Sequence, residues 1–176
     1  PSNAYGVSKA SQTFFAQYYA RLHKMPIVIV RPSLIYGPFE EPRRLVPASV
    51  LAHLRKEPVS LSSPKPRKDF LFIEDAVDAL LAAATCEISP GEVINIGIGK
   101  EHSIKEVVIA VAKSVGTRVP LQWGAVEGRP RDSPRRHSYV TQKAERLLGW
   151  HAKHSLEEGI QKTVDWFRTN LYYYEA

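Results

Sequence analysis

Apolar or small residues at Tyr5, Ala10, Phe14, Phe15, Tyr18, Tyr19 and Leu22 recur at helical spacing, which predicts a long helix over residues 5–24. Pro26 follows it. Residues 27–30 are apolar and β-branched at every position, the pattern of a parallel strand covered on both faces. Arg31 and Pro32 end that strand, and Tyr36-Gly37-Pro38 marks a loop. A helical pattern runs over 44–56 and stops before Pro58. Pro64 and Pro66 then punctuate a basic loop ahead of a strand at 70–73. Residues 75–85 read as a helix with acidic residues near its start, and 92–96 as a strand leading into Gly97 and Gly99.

Two further helices carry capping boxes, Ser103-Ile-Lys-Glu106 and Ser155-Leu-Glu-Glu158, in which hydroxyl and carboxylate satisfy free amides of the first turn. Gly116 and Gly149 stand where the preceding helices stop, since glycine takes the left-handed cap conformation without a Cβ clash. Strands alternating with helices predict an α/β architecture with a parallel sheet, and no internal repeat interrupts the pattern. The Arg- and Pro-rich stretch over 128–136 is the conspicuous irregular segment and reads by itself as a solvated loop.

Composition narrows the class. The 176 residues are 44% apolar and 24% charged, enough for one ordinary core. Stretches such as 27–30 are far too short to cross a bilayer, and no basic-then-apolar leader opens the chain, so a soluble, cytoplasmic protein without a membrane partner is expected. Cys86 is the single cysteine, which excludes an internal disulfide or a cysteine metal cluster and suits a reducing compartment. The net charge of +6 favours an anionic partner without choosing among nucleic acid, phosphate esters and solubility.

The candidate chemistry begins at Tyr5 and Lys9, four positions apart and therefore on one helix face. A free tyrosine of pKa ~10 is a poor base at neutral pH. A neighbouring ammonium and the positive helix N-terminus both favour the phenolate, making the pair a tunable proton donor and acceptor. On spacing alone the pattern is weak, and in a helix it far more often marks a packed aromatic beside a solvated lysine.

The strings PSNAYGVSKA, RPSLIYGP, KDFLFIEDAVDAL, NIGIG and LGW occur in this order across nearly the whole chain. Together they resemble the downstream half of extended short-chain dehydrogenases/reductases, the NAD-dependent epimerase/dehydratase family acting on nucleotide sugars. The resemblance implies the C-terminal part of a Rossmann-type parallel sheet with a smaller α/β substrate-binding lobe. Residues 1–36 and about 70–100 would belong to the core, and about 37–69 and 101–176 mostly to the lobe. The N-terminal cofactor-binding part, with its glycine-rich loop, acidic ribose ligand and catalytic serine or threonine, would lie outside this chain. The fragment alone is then expected to be inactive.

By the same resemblance Tyr5 is the catalytic acid/base, and Lys9 lowers its pKa while holding the nicotinamide ribose of NAD or NADP. Pro32 and Ser33 line the nicotinamide pocket, while Leu34 and Tyr36 face the substrate. Arg129 clamps the diphosphate of a nucleotide-diphosphate sugar through its planar fork. Arg67 and Lys68 both remain candidates for a second cation, because Lys68 stands where relatives commonly carry arginine before the Asp-aromatic pair. Leu34 replaces a common asparagine and Arg131 a common glycine, so the sugar is not specified. Arg31 is either a structural arginine or a substrate contact. The surplus of aromatics on the first helix, with the family resemblance, implies a homodimer.

Other features stay structural in this reading. The six histidines lack metal-ligand spacing, so no metal is expected. Gly97-Ile98-Gly99 lacks the third glycine of a dinucleotide fingerprint and reads as a turn, and Trp123, Trp150 and Trp166 as core packing. The functional expectation is an epimerase/dehydratase-type oxidoreductase, with a 4-keto-sugar reductase of the same family or a non-catalytic nucleotide-sugar-binding module as rivals. Nucleic-acid binding is disfavoured, because Pro130, Asp132 and Pro134 interrupt the basic run.

Overall fold

The computed structural model describes residues 3–88, 90–127 and 138–174. Helix α1 (Ala4–Leu22) starts where Asn3 accepts a hydrogen bond from the Gly6 amide at 2.7 Å. Its own side chains leave only Thr13 and Ala20 buried. The Gln17 amide donates to the Gly91 carbonyl at 3.1 Å and ties the helix to the loop before the next parallel strand.

Strands β1 (Ile29–Pro32) and β2 (Leu34–Tyr36) form one extended run that changes partner at Ser33. β1 pairs in parallel with β5 (Val93–Ile96), Ile29 opposite Val93. β2 pairs in parallel with β4 (Arg67–Phe72), Leu34 opposite Phe70. The strand expected over 27–30 thus begins and ends two residues later, because ladder pairing starts where the Ile29 amide donates to the Glu92 carbonyl at 2.9 Å. Tyr36, expected in a loop, instead closes β2 inside the core.

β4 is the wall between two cores. Side chains alternate along a strand, and here Phe70 and Phe72 join Tyr36, Val50, Val107 and Phe167 on one side. Leu71 joins Ala79, Ile94, Ile96 and Trp150 on the other. The first side is covered by α2 (Leu45–Arg55), α4 (Ile104–Val115) and α6 (Leu156–Thr169). The second is covered by α3 (Ile73–Thr85) and α5 (Gln142–Leu148). α5 therefore packs with the β1–β5 side, although its position in the sequence falls in the expected lobe. β6 (Glu101–Ser103) pairs antiparallel with β4, and β3 (Val59–Leu61) pairs in parallel with β7 (Leu121–Trp123) over Val108.

Both capping boxes form. The Glu106 amide donates to Ser103 Oγ at 3.1 Å while the Ser103 amide donates to Glu106 Oε2 at 2.6 Å. Ser155 and Glu158 repeat the exchange at 3.2 and 2.8 Å. Gly116 and Gly149 take the left-handed conformation at φ 79° and 61°. No helix among the described residues is long and apolar enough to cross a membrane.

Candidate active site at the strand exits

Tyr5 and Lys9 lie on the first turns of α1, as their spacing requires. Lys9 Nζ sits 5.9 Å from the Tyr5 ring centroid and also donates to Gln12 Oε1 at 3.2 Å. The tyrosine is 65% exposed, so its hydroxyl is open to an incoming ligand rather than committed to the core. An ammonium over a phenol ring stabilises charge that develops on the phenol oxygen.

A second group of candidate residues lies at the exit of the parallel strands. Pro32 is exposed at the end of β1, and Ser33 is buried where the chain switches partner. The Ser33 amide donates to the Ile96 carbonyl at 2.8 Å, and its hydroxyl donates to Asp69 Oδ1 at 3.1 Å. The same carboxylate accepts from the Ile98 and Gly99 amides, each at 2.9 Å. The turn at 97–99 thus wraps a side chain of this protein rather than being merely a bend. Such crevices beyond the carboxyl ends of parallel strands are where open α/β sheets bind ligands.

The cations separate. Arg67 is engaged: it meets Glu106 at 3.3 Å and donates to the Glu101 carbonyl at 2.9 Å, tying β4 to β6 and α4. Lys68, half-buried opposite His102 on β6, makes no ion pair among the described residues. Arg31 is exposed at the end of β1, and its side chain likewise makes no hydrogen bond or ion pair among the described residues. Tyr139 lies close by; burial and the Asp69 carboxylate push its pKa up, and Arg31 works against them. Arg129 and Arg131 fall outside the described residues.

Leu34 is half-buried on the α2–α4–α6 side. Tyr36 is fully buried, donates to the Leu156 carbonyl at 3.3 Å, and has its pKa raised by burial first and by Asp75 and Glu157 after it. Its ring packs under α6, where a Cβ on Gly159 would strike its hydroxyl. Trp150 is buried and donates to the Asp75 carbonyl at 3.1 Å, as the packing reading of that tryptophan requires.

Sequence reasoning passed over Asp69 and Asp75 as individuals. Asp75, also buried, accepts from the Lys153 and His154 amides at 3.1 Å and meets His154 Nδ1 at 2.9 Å, fastening the chain between α5 and α6 to α3. The available signal was an acidic letter inside an apolar run, since a buried carboxylate must have partners.

Parallel strands flanked by helices, with a polar edge at their carboxyl ends, define a Rossmann-type α/β protein, and solved structures agree. The dTDP-glucose 4,6-dehydratase of Bacillus anthracis in complex with NAD matches with a TM-score of 0.88 at 27% identity, over 98% of this chain and 54% of that one. The UDP-glucose 4-epimerase of Thermotoga maritima with UDP-glucose gives a TM-score of 0.87 at 28% identity, over 95% of this chain and 54% of that one. Among curated proteins, the dTDP-D-glucose 4,6-dehydratase of Mus musculus is 36% identical over 98% of this chain and 49% of its own length. The profile of the NAD dependent epimerase/dehydratase family matches residues 1–97, and the chain belongs to that family. It spans about half the length of the curated relatives it matches.

Proposed function

We propose that the protein is a nucleotide-sugar dehydratase or epimerase in which this chain supplies the proton-transfer pair and most of the sugar-nucleotide side of the site. The observation that carries the reading is Lys9 poised over the exposed Tyr5 ring at the start of α1, in the stretch the family profile covers. Tyr5 and Lys9, with Pro32 and Ser33 at the strand exit, are the residues that would hold the nicotinamide end of the cofactor. A nicotinamide, when bound, accepts a hydride from a sugar carbon and returns it. Tyr5 takes the proton of the sugar hydroxyl as that carbon is oxidised, and Lys9 holds the phenol in the state to do so. NAD is preferred to NADP because the Bacillus anthracis relative is in complex with NAD.

Lys68 is the cation of choice for the sugar-nucleotide diphosphate from β4, because Arg67 already pairs with Glu106. Arg129 is its proposed partner, on sequence alone. The exposed Phe14, Phe15 and Tyr18 along α1 suit a homodimer contact, and the free, half-buried Cys86 thiol suits the cytoplasm.

The test is a product analysis with the full-length protein, NAD and either dTDP-glucose or UDP-glucose. Loss of one water from the sugar identifies a dehydratase, and an isomer of unchanged mass an epimerase. Binding of both ligands without conversion would leave a nucleotide-sugar-binding module and overturn the catalytic reading.

A further inference from the structure

Asp69 sits in the middle of β4 and is only 1% exposed, with no ion pair to it among the described residues. Four donors converge on it: the Ser33 hydroxyl at 3.1 Å, the Ile98 and Gly99 amides at 2.9 Å, and the Tyr139 amide at 3.5 Å. They come from three separate stretches of chain: the β1–β2 switch, the turn after β5, and the approach to α5. Gly97 closes the cradle, since a Cβ there would lie 2.7 Å from Asp69 Oδ2. A group accepting on both oxygens is needed, and among side chains of this size only a carboxylate does that.

We propose that Asp69 is a positioning residue of the active site: it locks the Ser33 hydroxyl and the 97–99 turn to β4, holding the cofactor side and the anion side of the site at one fixed separation. Neighbours on a strand project to opposite faces, so pinning Asp69 also sets the direction of Lys68 beside it. A carboxylate surrounded only by protein donors has no reason to touch a ligand itself. Its effect passes through Ser33 on one side and Lys68 on the other. This inference rests on the nucleotide-sugar reading of the site.

The experiment uses the full-length protein and two probes, NAD and dTDP, titrated separately by calorimetry. Asp69→Asn keeps the shape but turns an NH2 group toward amide donors. Both Kd values should weaken about ten-fold or more, the worth of one charge-assisted hydrogen bond. Ser33→Ala should weaken NAD alone, and adding it to Asp69→Asn should weaken NAD little further, because the two residues act as one unit. A role in stability alone would lower the melting temperature and leave both Kd values at wild type, which would overturn the proposal. Should Asp69→Asn not fold, Gly97→Ala wedges the same cradle without removing a polar group, and wild-type affinities in that variant contradict the idea equally. Amide exchange in the unaltered protein needs no variant: NAD should slow exchange at Ile98 and Gly99, and unchanged exchange there in a protein that binds NAD tells against it. A wild-type protein that binds neither probe would instead sink the reading of the site.

Discussion

Buried and half-buried carboxylates in this chain divide by how well they are supplied with donors. Asp69 and Asp75 have full sets, whereas Glu40 keeps one oxygen buried without a partner and offers the other to Arg44 at 3.5 Å. Burial is the main cause that pushes its pKa from 4.5 up to about 7, with Glu41 adding to it and Arg44 and the Gly37 amide opposing. The sign follows from linkage: the folded state prefers the protonated acid, so the contribution of Glu40 to stability is greatest below about pH 4.5 and declines as the pH rises to about 7. Glu40→Gln should remove that part of the decline and leave a protein more stable than wild type above pH 7, read by urea denaturation across pH. Identical pH dependence in the two proteins would refute it. The acidic letters within KDFLFIED were a signal for Asp69 and Asp75 that the reading of the sequence passed over. Their partners were not legible there, because the donors lie 29 to 79 residues away along the chain.

Helix starts and stops were legible because capping chemistry is local. The two capping boxes and the two glycine caps need only residues three or four apart. The short strands were not: β3, β6 and β7 have three residues each, too few for a period to show, and they exist through partners far along the chain. The contribution of a local cap is measurable. Ser155→Ala removes the hydroxyl that accepts from Glu158 and should lower stability by about 1 kcal/mol in denaturant unfolding, with Ser155→Gly nearer wild type. An unchanged Ser155→Ala midpoint would mean that packing of α6 alone fixes its start.

At the scale of the molecule, one strand, β4, divides two cores. Alternating strands and helices made the α/β class readable, but β4 as a shared wall was not, because alternation names two faces without saying what covers each. The aromatics of α1 were legible as a surplus over one core-facing stripe, and Phe14, Phe15, Tyr18 and Tyr19 are all exposed. The central claim is that Tyr5 moves the proton while Lys9 tunes it, and the most direct measurement is the turnover of Tyr5→Phe in the full-length protein with NAD and its nucleotide sugar. An exposed hydroxyl is deleted there without disturbing the core. The account predicts a fall in kcat of roughly 10²–10⁴-fold, the usual weight of general acid/base catalysis, with the melting temperature close to wild type. Near-wild-type turnover across the pH range would contradict it.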